Sequence, residues 1–375
     1  MKILHLITGL GCGGAERMLT RLVTTTATAD PATAQVVVSM MDAGVFGGRI
    51  RAAGVPLHCL RMRRGRPTLG GAWQLFHLLR CEKPDVLQTW LYHADLLGTL
   101  IAPLAGVRRT VWNIRCSEMR HRSRRTKTVV SVLAKISARV DAVIVNSAAG
   151  REAHERLRYR PPRWELIPNG FDLDKLRPDA DVRASSRRLL AVDDANVVVG
   201  MVARVDPQKD HAVFLAAAAK VAAQNPLAVF ALVGAGCEAH GPLRGLVREY
   251  GLQSRVRLLG QRDDIAQILP GFDLCALSSA YGEGFPNVIA ESMASGVAVV
   301  ATDVGDTRRI VGETGLIVPP RAPTALAGAL NRMIDHGTAG RWKLGRAARA
   351  RIAERYALAD VCARYAGFYH SLLRE

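Results

Sequence analysis

The segment 281–291, Tyr-Gly-Glu-Gly-Phe-Pro-Asn-Val-Ile-Ala-Glu, combines two carboxylates with the start of a helix. It follows the apolar run 274–277, which reads as a buried strand, and Pro286 suits the first position of a helix. Glu283 is then expected on the loop at the carboxyl end of the strand, and Glu291 inside the helix. Backbone N–H groups at a helix start bind anions, and flanking carboxylates can accept hydrogen bonds from hydroxyl groups. The binding residues predicted from this segment, besides Glu283, are Gly284, Phe285, Pro286, Asn287, Val288 and Glu291.

Two cationic side chains follow an earlier strand of the same half of the chain. Arg204 and Lys209 flank Pro207, just after the apolar run 196–202. Arginine offers a fork of donors and lysine a point charge, so both can reach one diphosphate and stabilise it as a leaving group. The loop 260–265, which contains Arg262, also follows a strand, and its backbone groups are expected to bind a nucleobase.

Polar residues recur where the strands of the first half end. His93 follows the strand 86–89, Asn113 and Arg115 end the next strand, and Asn146 ends the sixth. His93 is expected either to bond a donor hydroxyl or to help place an acceptor, although a lone histidine is more often structural. Asn113, Arg115 and Asn146 are expected on the acceptor side, together with Gly11.

A glycine-rich turn, 9–14, connects the first strand to the first helix. Gly-Leu-Gly-Cys-Gly-Gly satisfies the G-x-G-x-x-G pattern in its required strand–turn–helix setting, so Gly13 and Gly14 are predicted to approach a phosphate. Asp42 resembles the ribose-binding acid of a dinucleotide enzyme, but it follows Gly14 by more than the usual spacing of about 20 residues. Glu16, in the first turn of the helix, would compete with a diphosphate. A dinucleotide-dependent dehydrogenase therefore stays an alternative.

The charge of the chain is concentrated in one half. Lys and Arg number 51 against 33 acidic residues, a net charge of +18, and residues 1–170 account for +15 of it. Basic residues cluster at Arg108, Arg109, Arg115, Arg120, Arg122, Arg124, Arg125 and Lys127. The more specific interpretation of this cluster is contact with an anionic membrane or a lipid-diphosphate acceptor. The alternative is an ordinary solvent-exposed loop without a binding role. Nucleic-acid binding is a further alternative, but the cluster has no ladder of aromatic residues to stack bases, so no nucleic-acid partner is expected.

The remaining composition limits the class of protein. Hydrophobic residues make up 49% and charged residues 22%, which excludes a disordered chain. The seven cysteines are scattered and form no Cys-x-x-Cys pair, and the Asp-x-Asp pairs at 172–174 and 179–181 lie in a polar linker, so no metal site is expected. No apolar run is long enough to span a membrane and the N-terminus reads as a strand, so we expect a cytoplasmic protein, peripheral to the inner face of the plasma membrane if the basic cluster binds lipid.

Short β-rich runs alternate with helical patterns throughout the chain. Val-rich strands separated by helices predict parallel sheets covered on both faces. A polar stretch rich in proline and glycine, 167–179, interrupts the pattern. The predicted fold is α/β, with two Rossmann-like doubly wound parallel-sheet domains facing a cleft. The domains are expected at 1–175, completed by a C-terminal helix at 359–375, and at 176–358.

Taken together, these motifs resemble the retaining glycosyltransferases of family 4, which have the GT-B architecture. The resemblance covers nearly the full chain, and one departure is Ala203, where the family often has glycine before the arginine. The matching positions are Gly-Gly-Ala-Glu at 13–16, His93, 167–172, Arg204 with Lys209, 283–291, and the helix at 365–373.

The resemblance implies transfer of a sugar from a nucleotide donor to an acceptor, with retained anomeric configuration and no required cofactor or metal. By that similarity Arg204 and Lys209 hold the diphosphate, Glu291 the ribose, Glu283 and the backbone of 285–288 the sugar and phosphate, and the loop 9–14 borders the phosphate and the acceptor. The catalytic residues are then Arg204, Lys209, Glu283 and His93, with front-face displacement as the mechanism. Glu283 as a nucleophile is the alternative, although a binding role is preferred for it. UDP is the first expectation for the nucleotide, and a saccharide or lipid-linked intermediate of cell-envelope glycan synthesis for the acceptor. An NAD(P)-dependent oxidoreductase and a sugar-nucleotide epimerase of the same architecture remain alternatives.

Overall fold

A computed structural model describes residues 1–63, 68–118 and 123–375; Arg120 and Arg122 of the basic cluster lie outside these ranges. The chain divides into two compact units. Unit 1 comprises Met1–Gly170 and Leu358–Glu375, and unit 2 comprises Phe171–Ala357. The division at 170/171 falls inside the polar stretch that the sequence predicted as the interruption.

Unit 1 is built on a seven-stranded parallel sheet in the order β3-β2-β1-β4-β5-β6-β7. Its strands are β1 (Lys2–Ile7), β2 (Ala34–Ser39), β3 (Leu57–Cys59), β4 (Val86–Trp90), β5 (Arg109–Ile114), β6 (Ala142–Val145) and β7 (Trp164–Leu166). On β1, Ile3 and Ile7 belong to one apolar cluster while Leu4 and Leu6 belong to another. The strand is therefore buried on both faces, as its lack of apolar–polar alternation predicts.

Helices cover both faces of this sheet. They are α1 (Gly14–Ala29), α2 (Gly47–Ala52), α3 (Leu69–Glu82), α4 (Tyr92–Ala105), α5 (Arg124–Ile136), a 3₁₀ turn (Ser137–Arg139) and α6 (Ala148–Arg156). Ser123 and Ser147 accept hydrogen bonds from backbone N–H groups at the starts of α5 and α6, which fixes where those helices begin.

Unit 2 repeats the plan with a six-stranded parallel sheet in the order β10-β9-β8-β11-β12-β13. Its strands are β8 (Val197–Val202), β9 (Ala228–Val233), β10 (Val256–Leu258), β11 (Leu274–Leu277), β12 (Ala298–Thr302) and β13 (Leu316–Val318). Its helices are α7 (Ala180–Leu189), α8 (His211–Gln224), α9 (Leu243–Glu249), α10 (Ile265–Ile268), a 3₁₀ turn (Leu269–Gly271), α11 (Asn287–Ala294), α12 (Thr307–Val311), α13 (Pro323–Asp335) and α14 (Gly337–Tyr356). The prediction of two doubly wound parallel-sheet domains is confirmed.

The final helix, α15 (Leu358–Arg374), belongs to unit 1. Its apolar face packs with α1, and Tyr365, Phe368 and Leu372 lie in the same buried cluster as Ile3 and Ile7 of β1. Among the residues that the structure describes, no helix is both long and apolar enough to cross a membrane.

Candidate active site

In unit 2, the loops that follow β8 and β11 are joined by hydrogen bonds. The backbone N–H of Ala280 donates to the carbonyl of Gln208 (2.8 Å), and the Gln208 side chain donates to the carbonyl of Gly282 (3.0 Å). Ser278 Oγ donates to the carbonyl oxygens of Lys209 (2.8 Å) and Asp210 (3.0 Å). Because β8 and β11 are neighbours, this bonding fixes the two segments that carry the predicted cationic and acidic residues against each other.

Lys209 and Glu283 form an ion pair at this junction. Their side chains are 16% and 7% exposed, and Ser279 Oγ donates to the same Glu283 oxygen at 2.5 Å. A desolvated pair of charges is tolerable only when each charge has partners of this quality. The ammonium and the carboxylate are therefore held in defined positions at the carboxyl edge of the sheet.

Arg204 lies in a different environment. Its side chain is 60% exposed and pairs with Asp206 (3.1 Å), two residues further on. Burial of the Asp206 carboxyl works against ionisation, but the Gln208 N–H and the charge of Arg204 outweigh it and lower the pKa of Asp206 below its ordinary value. Arg204 is thus an accessible guanidinium that is oriented but not enclosed.

A glycine that the sequence analysis did not identify shapes the Glu283 loop. Gly305 follows β12 with φ +62, and a Cβ at this position would collide with the carbonyl of Glu283. Asp306 N–H donates to the carbonyl of Gly284 (3.1 Å), and Thr302 Oγ1 donates to that of Ser279 (2.7 Å). The backbone that presents Glu283 is therefore supported by β12 as well as by β11.

Helix α11 begins one residue later than predicted. Pro286 is the residue before the helix, with φ −73 and ψ 92, and Asn287 is its first residue. The N–H groups of the first turn of a helix have no acceptor within the helix and carry a partial positive charge, so the start of α11 is suited to an anion, and Val288 lies in this turn. Glu291 lies inside the helix, as expected, and is buried.

The side chain of Phe285 has a packing role. Its ring stacks on Phe171 (5.9 Å between centroids) and meets Tyr356 edge to face (5.4 Å). Phe285 therefore anchors the loop through its ring, and its backbone is the part available for the predicted binding role.

Arg262 already has a carboxylate partner. Its guanidinium forms a two-bond ion pair with Asp264, with N–O distances of 2.9 and 2.6 Å. The loop lies just after β10 at the carboxyl edge of the sheet, as expected, but this pair leaves the Arg262 side chain committed to its own loop. Binding of a nucleobase by the loop stays a prediction.

In unit 1, a carboxylate lies beside the glycine-rich turn, and phosphate binding by Gly13 and Gly14 stays a prediction. The carboxylate of Glu16 folds back over Gly13, where a Cβ would collide with it. Asp42 Oδ1 accepts the N–H of Gly44 (3.1 Å) and so serves a local turn. A negative charge already occupies the start of α1, and the acid proposed for a ribose is used elsewhere, so neither feature favours the dehydrogenase alternative.

Asn113 and Arg115 belong to a buried network with the C-terminal helix. Asn113 Nδ2 and Arg115 both donate to the hydroxyl of Tyr365, at 3.0 and 2.6 Å. Arg115 also donates to Asn113 Oδ1 (2.9 Å) and to Asn169, and its guanidinium lies 4.7 Å from the ring centroid of Trp90. Burial lowers the pKa of Arg115 from its ordinary value. Both residues were expected on the acceptor side, and their connection to α15 was not predicted.

Asn146 and His93 lie at the same edge of the unit 1 sheet. Asn146 Nδ2 donates weakly to Asn169 Oδ1 (3.4 Å) and its own Oδ1 is buried. His93 is the second residue of α4 and is half-buried, and Gly11 is exposed on the turn after β1. The carboxyl edge of this sheet therefore carries a set of polar groups, and their contact with an acceptor stays a prediction.

Within the described ranges, no group of three His, Cys, Asp or Glu side chains is placed to hold a metal ion. The Asp-x-Asp pairs of the linker have local uses. Asp172 pairs with Lys175 (2.7 Å), and Asp179 accepts N–H groups at the start of α7.

Two models of known protein families match the chain, one mainly within unit 1 and the other within unit 2. The family model described as "Glycosyltransferase Family 4" matches residues 12–175, and that described as "Glycosyl transferases group 1" matches residues 196–336. The chain belongs to glycosyltransferase family 4. The glycosyltransferase activity and the GT-B fold implied by the sequence motifs are thereby confirmed, and the oxidoreductase and epimerase alternatives gain no support.

Individual relatives of this glycosyltransferase act on different acceptors. This chain is 27% identical to the UDP-Gal:alpha-D-GlcNAc-diphosphoundecaprenol alpha-1,3-galactosyltransferase of Escherichia coli, over 70% of this chain and 69% of that one. It is 33% identical to the D-inositol 3-phosphate glycosyltransferase of Rhodococcus erythropolis, over 54% of this chain and 48% of that one. The alignment therefore spans only about half the length of the second relative.

Solved structures resemble the whole chain. Anabaena Alr3699/HepE in complex with UDP-glucose has a TM-score of 0.85 and 25% identity, covering 99% of this chain and all of that one. The sucrose-phosphate synthase of Thermosynechococcus elongatus has a TM-score of 0.83 and covers all of both chains at 22% identity. The second likeness shows the fold alone.

Proposed function

We propose that this glycosyltransferase moves a sugar from a UDP-sugar to a saccharide or lipid-linked acceptor in cell-envelope glycan synthesis, and that it retains the anomeric configuration. The observation that carries the proposal is the Lys209–Glu283 pair at the carboxyl edge of the unit 2 sheet, with the exposed Arg204 on the same loop as Lys209. The UDP-glucose complex of HepE and the diphosphoundecaprenol acceptor of the E. coli relative favour this donor and acceptor class.

The proposed reaction needs positioning and charge rather than a protein nucleophile. The acceptor oxygen forms a bond to the anomeric carbon while the bond from that carbon to the β-phosphate oxygen breaks. Both events take place on the same face of the sugar, and the acceptor proton passes to the departing phosphate. UDP leaves with the bonding electrons, so its negative charge grows during the step and cations near it lower the barrier.

Each predicted residue then has a specific task in the donor site. Lys209 and Arg204 bind the diphosphate, and the first turn of α11 adds its N–H groups. The buried carboxylate of Glu283 accepts hydrogen bonds from sugar hydroxyls, and that of Glu291 from the ribose. In unit 1, His93 contacts a substrate hydroxyl. All of these groups act without a cofactor or a metal.

Donor binding tests the nucleotide assignment. UDP is expected to raise the melting temperature more than GDP, ADP or NAD, since a ligand at 100 times its Kd adds about 2.7 kcal/mol of stability. Glu291→Ala is expected to weaken UDP binding by roughly tenfold, the loss of a hydrogen bond to a charged group. Stabilisation by NAD alone would contradict the proposal, and a response to GDP alone would replace UDP as the nucleotide.

Transfer tests the reaction itself. UDP-glucose and UDP-galactose are supplied with a diphosphate-linked saccharide acceptor, and the product linkage is read by NMR. An α-linked product from these α-linked donors is expected. A β-linked product would reject retention, and interconversion of the sugar nucleotide without transfer would favour the epimerase.

Peripheral binding to an anionic membrane forms the second part of the proposal. Arg124, Arg125 and Lys127 are exposed at the start of α5, and no carboxylate of the described residues pairs with them. By contrast, Arg109 of the same cluster pairs with Asp141 (2.9 Å) and so contributes less. Basic residues near an anionic surface gain about 1 kcal/mol each, so the three exposed ones provide the attraction.

Vesicle binding tests this attraction. The double variant Arg124→Glu, Arg125→Glu is expected to lose binding to anionic phospholipid vesicles while it keeps its affinity for UDP. The matched control is Lys343→Glu, Arg346→Glu, which reverses two exposed charges on α14 of unit 2. If both double variants lose vesicle binding equally, net charge rather than the α5 surface is responsible. If Arg124→Glu, Arg125→Glu binds vesicles as the wild type does, the proposed membrane surface is rejected.

A further inference from the structure

A single residue connects β4 to α4. Strand β4 ends at Trp90, helix α4 begins at Tyr92, and Leu91 between them has φ 74 and ψ 147. Leucine pays about 1–3 kcal/mol for such a conformation, which is ordinarily reserved for glycine. A strained residue persists only when the surrounding structure holds it in place.

One hydrogen bond spans the turn. Thr89 is the residue before the last of β4, and Asp95 lies in the first turn of α4. The Thr89 Oγ1 hydroxyl donates to Asp95 Oδ1 at 2.6 Å. Asp95 is fully buried, and its other carboxyl oxygen has no hydrogen-bond partner among the described residues. Burial raises the pKa of the Asp95 carboxyl well above its ordinary value, although the Thr89 bond opposes the rise. A half-satisfied buried carboxyl is costly, so apolar packing would serve stability better at this position.

Two further contacts hold the same region. A Cβ added to Gly98 would approach Thr89 Cγ2 to 2.5 Å, so α4 lies in close contact with β4 one turn beyond Asp95. The hydroxyl of Tyr92, the first residue of the helix, hydrogen-bonds to His154 Nε2 at 2.9 Å. The helix start is thus fixed on both sides of its second residue, His93.

We propose that Thr89 and Asp95 are positioning residues, which hold the strained turn at Leu91 and thereby fix the imidazole of His93 for its substrate. This rests on the proposed function, in which His93 contacts a substrate hydroxyl. Neither Thr89 nor Asp95 touches substrate in this arrangement, because both are buried beneath the turn. The Asp95 carboxyl is a fixed acceptor for the Thr89 hydroxyl, and this bond orients the half-buried side chain of His93.

The test removes the hydrogen bond and preserves the packing. Thr89→Val deletes the hydroxyl and keeps a methyl group against Gly98. We expect kcat for transfer to fall by about 10-fold to 100-fold, as a misplaced group can cause, with KM for the donor and affinity for UDP unchanged. The matched control is Thr110→Val, a buried threonine on β5 that is expected to retain wild-type kcat.

A double-mutant cycle separates positioning from general destabilisation. In a His93→Ala background, Thr89→Val is expected to have no further effect on kcat, because the group it positions is absent. Equal losses in both backgrounds would overturn the proposal, and so would a Thr89→Val enzyme within twofold of wild-type kcat.

A measurement of ring order keeps the proposal separate from the proposed function. In protein with isotopically labelled histidine, the His93 ring signal is identified by its absence from His93→Ala. We expect one sharp signal in the wild type and a broadened or split one in Thr89→Val. Wild-type protein without transfer activity would reject the proposed function alone, whereas an unchanged ring signal in Thr89→Val would overturn the positioning role.

Discussion

Replacing Arg204 with alanine separates leaving-group stabilisation from stability of the fold. The Arg204 side chain is 60% exposed and its partner Asp206 31% exposed. An ion pair this accessible contributes between about 0 and 1 kcal/mol, so the free energy of unfolding is expected to change by no more than that. Loss of one preorganised stabiliser of transition-state charge costs about 2.7–4 kcal/mol, so kcat is expected to fall by about 10² to 10³.

The assay compares two variants with the same change of charge. Arg177, in the same unit, also pairs with the acid two residues further on, Asp179, and the two side chains are 61% and 25% exposed. Arg177→Ala is therefore the matched control. Release of UDP during transfer gives kcat for each variant, and urea unfolding gives stability. We expect Arg177→Ala to retain wild-type kcat at nearly unchanged stability.

Two results would refute this reasoning. If Arg204→Ala keeps kcat within threefold of wild type, Arg204 does not stabilise the leaving group. If both variants lose activity equally, the net charge of the unit is responsible rather than the position of one guanidinium.

Lys209→Ala is expected to lower the free energy of unfolding, measured in urea, by about 3–5 kcal/mol, because it leaves the buried carboxylate of Glu283 without its cation. Adding Glu283→Gln to this variant should recover part of the loss. Equal stability of the wild type, the single variant and the double variant would contradict the burial of this pair. Tyr365→Phe is expected to cost about 1–3 kcal/mol, measured in the same way, because it removes the acceptor of the buried Asn113 amide and of the partly buried Arg115 guanidinium, and an unchanged midpoint would show that the network adds nothing. Burial lowers the pKa of His5, His154 and His211 from 6.5 to about 4, so their stabilising contribution is complete above pH 6.5 and is lost as the pH falls towards 4. The free energy of unfolding, measured in urea, should decline by about 1.4 kcal/mol per pH unit for each histidine between pH 6.5 and 4, and a flat profile would show that these rings are not held neutral.

The two sheets could be predicted from the sequence because most of their strands are buried on both faces. Runs such as 228–233 and 142–145 are continuously apolar and coincide with β9 and β6. Two elements of unit 1 were not predicted, because neither gives a clear hydrophobic pattern. Helix α2 is too short to show a helical period, and β7 is a half-buried edge strand whose central residue is Glu165.

The candidate site was predictable as a set of residues at strand ends but not as a set of contacts. The pattern around Glu283 predicts its place on a loop, yet the partner Lys209 lies 74 positions earlier in the chain. Only the adjacency of β8 and β11 brings the two together. Ser279 and Gly305 have no signal of their own, because a serine or glycine in a loop is common and their roles depend on a neighbouring loop.

The acceptor-side predictions show a different limit. Asn113 and Arg115 end a strand, which suggested a binding role, but a strand end that is covered by a helix offers its polar groups to that helix. Tyr365 lies 250 positions after Arg115, and nothing in the local sequence of either residue indicates their contact. A polar residue at a strand end therefore predicts a hydrogen-bonded group at the sheet edge, and the covering element decides whether a substrate can use it.

The two cations of the proposed donor site are suited to different parts of the proposed reaction. The Lys209 side chain is 16% exposed and lies beside a carboxylate, so it is largely desolvated and oriented, and it is expected to reorganise little as charge develops on the diphosphate. Part of its charge is offset by Glu283, however, which limits the stabilisation that it can give alone. Arg204 has the opposite properties, since it is exposed and its pair with Asp206 is weak enough to exchange for a phosphate. In the proposed reaction, Lys209 therefore defines where the diphosphate binds, and Arg204 supplies the positive charge that is not already neutralised. This is why Arg204→Ala is expected to affect turnover so much more than stability.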